Sequence, residues 1–356
     1  MSDNHNARND ATGDDSIPPW HRALLGGAIS AIPGTREKHD GEINTVAVAF
    51  FANLVVALAK FGGYFVVHSS ALLAEAIHST AVTINQGLML RGQLTARHLA
   101  TTEHPFGFGR ERYFWGFMVS VVMFGIGAVL SIGRGVLAIA SGEEHEIALI
   151  WVPYAALTVG LVMDGTSLLQ AIRQTRRSKG DLSYRQYIKR AKSPEAPLVL
   201  LEDSAAMFGL FFAYGGITLS LITGNNIYDG IASILVGLVL TAVSWILASR
   251  MKSLLIGESA LPEEMDAIRE ALTGPEEVRE VLYIRTLYLS PNDLLIETKV
   301  RFDPDMQFRD IATAIDRMEQ DIRSRIGHAR LISIEPDIPE TSDVELPGYK
   351  SSEGES

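Results

Sequence analysis

The residues of this 356-residue chain best suited to chemistry sit inside apolar runs. The stretch 69–90, SSALLAEAIHSTAVTINQGLML, is long enough to span a bilayer, yet it carries Glu75, His78, Asn85 and Gln86. Glu75 and His78 are three apart and His78 and Asn85 seven apart, so at 3.6 residues per turn they share one helical face. A second polar pair, Glu202 and Asp203, follows Leu201 a short way into another apolar run. Polar groups in hydrocarbon are costly, and they mark ion pathways, binding sites or interhelical hydrogen bonds. An imidazole near carboxylates and amides is a donor set for a divalent cation; the same groups would also serve a hydrogen-bond cluster with no ligand. Adjacent helical residues point about 100° apart. One of the two acids is therefore expected to face the helix of His78, the other to pair with a basic group or water. Asp229, at the start of a later run, reads equally well as a helix N-cap.

The elements that must position these groups are six apolar segments, near 43–67, 70–95, 113–140, 147–171, 198–222 and 227–249, each about a bilayer long. Lys60 and Arg134 fall inside two of them, where long stems let the charge reach a partner or the interface. The connections near 68–70, 141–146 and 223–226 contain no Lys or Arg, while residues 171–197 hold eight. That asymmetry places the basic loop, the loop near 97–112 and both termini in the cytoplasm. The expected organisation is a partly disordered cytoplasmic segment at 1–42, a six-helix membrane domain at 43–250, a cytoplasmic domain at 257–338 and a disordered tail at 339–356. Within the first segment, residues 17–32 have the pattern of either a short helix on the membrane surface or a linker.

After Leu254 the pattern becomes that of a soluble domain. A helical stretch opens at Pro262, a strand covers 278–289, SPND makes a turn, and 294–302 alternates with Leu294, Ile296, Thr298 and Val300 on one side. Helical spacing returns through Ile311, Ile315 and Met318, and 331–334 is a last strand. The order α-β-β-α-β fits a small sheet covered on one face by two helices, an α+β arrangement. From Gly257 onward 23 acidic residues stand against 11 basic ones, so the net charge of -11 belongs to this end. No basic face suits nucleic acid. The absence of cysteine removes disulfides and thiolate chemistry, the first forty residues lack a cleavable signal pattern, and no enzymatic motif is present.

With SSALLAEAIHS and the following NQG in the second segment, HPFGFGR at 104–110 before a downstream RY, LLED in the fifth segment and the α-β-β-α-β end, the chain over roughly 40–337 resembles the cation diffusion facilitator family. Within it, these motifs resemble the divergent branch that contains the ninth human zinc transporter. The resemblance implies a membrane α-helical protein with six transmembrane helices and a ferredoxin-like cytoplasmic domain. It implies a homodimer in membrane lipid that exports divalent cations, most often Zn²⁺, in exchange for protons. The expected location is a bacterial inner (plasma) membrane. No resident cofactor is implied, since the metal is cargo.

The family's site, as the resemblance implies it, lies between the second and fifth spans. There the second span offers His or Asp and, four residues on, Asp; His78 matches the first position, and Val82 stands at the other. The fifth span offers His and, four on, Asp; Asp203 and Met207 stand there, or Glu202 and Ala206 if the register slips by one. Completion of a metal site around His78 and Asp203 then falls to Glu202, Asn85, Glu75, a carbonyl or water. Such an oxygen-rich set also suits Mn²⁺, Fe²⁺, Co²⁺ or Mg²⁺, and the same departure fits a metal sensor or scaffold that moves nothing. A free imidazole titrates near pH 6.5 and binds metal only when neutral, which links metal entry to proton release. His104 reads as part of a tight turn, with Arg110 and Arg112 facing headgroups or acids. His68 and His145 read as surface groups. With His328 the one histidine after Gly257, no extra zinc sites are expected in that domain.

Overall fold

In hydrocarbon a chain can satisfy its backbone groups only within itself, so an uninterrupted apolar run must coil. The computed structural model describes residues 70–141, 151–225 and 227–337, with nine positions between 50 and 65. For some of them, 70–79 included, it describes the backbone alone. The segment 1–42, most of the first apolar segment, Lys60, His68, His145 and the tail 339–356 lie outside the described residues.

Helix α1 is Ser70–Thr95; α2, Glu111–Val122, passes through a π-helical turn, Met123–Val129, into α3, Leu130–Ser141. Helices α4, Trp151–Lys179, α5, Tyr184–Arg190, α6, Glu195–Thr223, and α7, Ile227–Ile256, complete the bundle among the described residues. Three helical stretches there, Glu111–Ala140, Glu195–Thr223 and Ile227–Ile256, are long and apolar enough to cross a membrane. Phe211, Ile222 and Trp245 are 72%, 76% and 75% exposed. That apolar outer surface suits lipid rather than water.

Helix α7 packs against α6, α3 and α2. Small residues let it come close: a methyl group added at Gly237 would lie 2.5 Å from Ile132 and 2.9 Å from the Ala128 carbonyl. Toward the end of the bundle nearest the α+β domain, Tyr113, Leu198, Leu247, Met251 and Leu254 form a buried cluster.

Several helices outrun the apolar segments. Helix α4 continues to Lys179, whose ammonium bonds the Leu182 carbonyl at 2.7 Å, and α7 continues to Ile256 because Met251 and Leu254 still find buried neighbours. Hydrophobicity stops where the bilayer does, whereas a helix stops where its last turn loses support. The HPFGFGR loop forms the expected tight turn, with the Gly107 N–H bonded to the His104 carbonyl at 2.9 Å and Gly107 at φ 77°.

Beyond Gly257 the α-β-β-α-β order is present: α8 Pro262–Thr273, β1 Val278–Ser290, β2 Asp293–Phe302, α9 Phe308–Arg325 and β3 Ala329–Asp337. Strand β2 is central, antiparallel to β1 and parallel to β3. Along β2 the buried positions alternate as expected, and Leu294, Ile296 and Val300 meet Ile268 and Leu272 of α8 and Ala314, Met318 and Ile322 of α9. Ile296 is fully buried at the centre of this core. Ile296→Ala is expected to destabilise the domain by about 2–5 kcal/mol, read as faster hydrogen exchange in β2 of the full chain.

Candidate metal centre

Helix α6 carries Glu202 and Asp203 where the bundle is closing, and the 100° between them sends the two acids to different neighbours. Glu202 faces α1: Asn85 Nδ2 donates to Glu202 Oε1 at 2.8 Å. Asn85 is 2% exposed, and its Oδ1 has no hydrogen-bond partner among the described residues. Asp203 faces α4, where the Ser167 hydroxyl donates to Asp203 Oδ2 at 2.7 Å. Asp164, one turn before Ser167 on α4, is close enough to act on the Glu202 charge. Three helices thus bring oxygen donors to one level of the bundle.

Of the residues expected to form the site, Asn85, Glu202 and Asp203 are placed by this geometry. The backbones of Glu75 and His78 lie in α1, while their side chains fall outside the described residues. His78 stands seven residues before Asn85, a rise of roughly 10 Å along the axis. Among the described residues no three His, Asp or Glu side chains gather closely enough to hold a metal ion. Met207, at a usual ligand position in the family pattern, lies toward Gly165 of α4.

A second polar level lies two turns nearer the α+β domain. Arg112, at the start of α2, is 7% exposed, and its Nε donates to Glu195 Oε1 at 3.0 Å; Gln93 Nε2 donates to the same oxygen at 3.2 Å. Of the two surroundings the sequence allows for Arg112, headgroups or acids, the structure shows an acid. From Gln93 to Asn85 to His78, polar positions therefore recur along one side of α1, with α6 supplying Glu195 and then Glu202 opposite the first two.

Sequence reasoning passed over Asp164 and Ser167. Asp164 was visible as a charged residue within an apolar run, the signal that flagged Glu202. Ser167 gave no comparable signal, since a serine can satisfy its hydroxyl on its own helix.

The membrane bundle and the α+β domain meet through charge. Lys192 Nζ lies 2.8 Å from Glu258 Oε2, and Arg250 Nη2 donates to that oxygen at 3.0 Å and to the Ala191 carbonyl at 2.7 Å. Burial alone would raise the Glu258 carboxyl, but the bonds from Arg250 and Lys192 outweigh it and hold the group below the usual carboxylate range. Beside it, burial likewise works to raise Glu264, and bonds from His328 and Tyr288 hold it low.

Comparison with known proteins agrees with this architecture. Residues 46–256 match the cation efflux transmembrane domain, and residues 260–337 the cytoplasmic domain of cation efflux proteins. The mitochondrial proton-coupled zinc antiporter SLC30A9 of Xenopus laevis is 31% identical over 286 residues, 80% of this chain and 51% of its own length. Its human counterpart is 32% identical over 266 residues, 74% of this chain and 46% of its own. Metal tolerance protein C4 of Arabidopsis thaliana is 29% identical over 266 residues, 73% of this chain and 57% of its own. The chain spans about half the length of these curated relatives.

Proposed function

The chain belongs to the cation efflux family, a family of transporters rather than enzymes, and on that premise we propose that it exports divalent cations, zinc foremost, from the cytoplasm in exchange for protons. The observation that carries the reading is the Asn85–Glu202 bond, which joins polar groups of two helices inside an apolar bundle. In this reading six helices span a bacterial plasma membrane, with both termini and the 257–338 domain in the cytoplasm, as the basic loop at 171–197 supports. The cytoplasmic domain pairs two copies into a homodimer, as its match to the family's cytoplasmic domain supports.

The proposed binding groups are His78, Asp203, Glu202, Asn85 and Glu75. Neutral His78 offers a nitrogen to the cation, Glu202 and Asp203 supply charge, and Asn85 holds Glu202 toward α1 while offering its free carbonyl. Acidification protonates the imidazole, which then repels the metal. Ser167 orients Asp203 from α4.

One observation favours a second cargo. Among the described residues, the groups gathered at the level of Glu202 offer a cation oxygen only, the donor that harder cations such as Mn²⁺ or Mg²⁺ prefer. The test is flux in proteoliposomes carrying the wild-type chain, with a pH gradient imposed and Zn²⁺, Mn²⁺, Fe²⁺, Co²⁺ and Mg²⁺ offered in turn. Gradient-driven accumulation of Zn²⁺ above the others is the expected result. Flux of Mn²⁺ or Mg²⁺ in its place supports the harder-cation reading. Binding without any flux overturns the transporter reading and leaves a sensor.

A further inference from the structure

Apart from Lys179, whose ammonium bonds the Gly180 and Leu182 carbonyls, the basic residues from Arg173 to Lys192 divide into two sets. Arg190 is paired with Glu263 at 2.8 Å, and Lys192 with Glu258. Arg173, Arg176, Arg177, Arg185 and Lys189 are exposed, and among the described residues none has an ion pair or a side-chain hydrogen bond. A chain this acidic, with carboxylates satisfied by arginines elsewhere in the cytoplasmic domain, has left these five without a counter-charge.

Their placement is built rather than incidental. Helix α5 begins with a capping box, the Ser183 hydroxyl accepting from the Gln186 N–H while the Gln186 side chain accepts from the Ser183 N–H. It is held beside the end of α4 by Lys179, which lies over the Tyr184 ring, 5.4 Å from its centroid, and bonds the Leu182 carbonyl at 2.7 Å. Where α4 emerges, Gln170, Arg173, Gln174, Arg177 and Ser178 line an open cleft of about 420 Å³. Two guanidiniums and two amides are donors for a phosphate group, while the Ser178 hydroxyl donates to the Gln174 carbonyl at 3.2 Å. Just inside, Leu169 is 53% exposed and offers apolar surface.

Depth selects the source of the phosphate. The apolar part of α4 ends near residue 171, so Arg173 and Arg177 stand roughly 3 to 9 Å beyond it along the axis. That is the depth of lipid headgroups. We propose that this cleft is a binding site for the headgroup of an anionic phospholipid, one acyl chain lying along α4 past Leu169, with the exposed Arg176, Arg185 and Lys189 adding positive charge nearby in the sequence. The inference rests on the membrane-spanning architecture and not on which cation is carried. Juxtamembrane basic clusters attract anionic lipid with a contribution from each charge.

The test uses the full chain reconstituted in vesicles of three parts phosphatidylcholine to one part phosphatidylglycerol, extracted gently and weighed by native mass spectrometry. The wild type is expected to retain phosphatidylglycerol over phosphatidylcholine, and Arg173→Gln/Arg177→Gln to reduce that retention by roughly tenfold. Arg173→Lys/Arg177→Lys is expected to keep most of it, and Arg279→Gln/Arg301→Gln, on the cytoplasmic domain, all of it. Equal retention of both lipids by the wild type overturns the site, as does unchanged retention in the Gln variant. Displacement of the lipid by millimolar inorganic phosphate would show a site for the free anion and overturn the lipid assignment. A fall in dimer mass in the Gln variant without lipid loss would assign the patch to the acidic surface of a second copy, and would overturn it too.

Discussion

Replacing Glu202 by Gln is expected to cut metal flux in proteoliposomes by roughly a hundredfold while leaving the folded protein intact. The amide keeps the shape of the carboxylate and can still accept from Asn85, so the contact between α1 and α6 persists. What is lost is the charge that the proposed site would turn toward the cation; a charged contact is worth on the order of 3 kcal/mol, about two powers of ten. Glu202→Leu should do worse in a different way, because it leaves Asn85, 2% exposed, with its amide unpaired as well. His78→Ala is expected to flatten the dependence of flux on pH between about 5.5 and 7.5, the range in which an imidazole changes charge. Wild-type flux in Glu202→Gln, with wild-type pH dependence in His78→Ala, would remove the proposed site from the transport path.

The second large effect is expected at the junction of the membrane bundle and the cytoplasmic domain. Glu258 receives Lys192 from the α5–α6 connection and Arg250 from the end of α7. Glu258→Ala leaves two cations facing each other in a largely buried pocket, and removing one partner of such a cluster costs about 3 kcal/mol or more. Hydrogen exchange should rise at 250–258 and at 191–192 while β2 stays protected. The same cluster sets an acid limit. Its carboxyl titrates below the ordinary 4.5, so its contribution is complete above that value and is lost as pH falls through the lowered one. Glu264 adds to the loss in the same direction. Loosening of the junction below about pH 4.5 in the wild type, and a flatter profile in Glu258→Gln, are the expected readings. A junction equally tight in Glu258→Ala would show that apolar packing alone holds it.

Much of the architecture was legible because it depends on patterns within single segments. The alternation Leu294, Ile296, Thr298, Val300 predicts a strand with one buried face, and β2 has it. The spacing of Ile311, Ile315 and Met318 predicts α9. Helix ends were less legible: α4 and α7 run on past their apolar stretches because buried side chains and capping bonds support the extra turns. At the site, helical geometry alone predicts that Glu202 and Asp203 part company. Which acid meets α1 depends on how α6 is rotated in the bundle, a property of packing between segments over a hundred residues apart. The Glu258 junction was illegible for the same reason, since Lys192 reaches it from 66 residues away in the sequence.

At 1.5 Å per residue the 30 residues of α7 measure about 45 Å, more than the roughly 30 Å of hydrocarbon a membrane offers. The surplus is a stiff shaft reaching out of the lipid, and its first bend comes at Gly257, whose φ of 120° ends the helix. A twist applied at the cytoplasmic domain therefore meets no joint between Gly257 and Ile227. Torque arriving at the foot of the shaft turns the whole of it, and with it the helices that lean on its glycines.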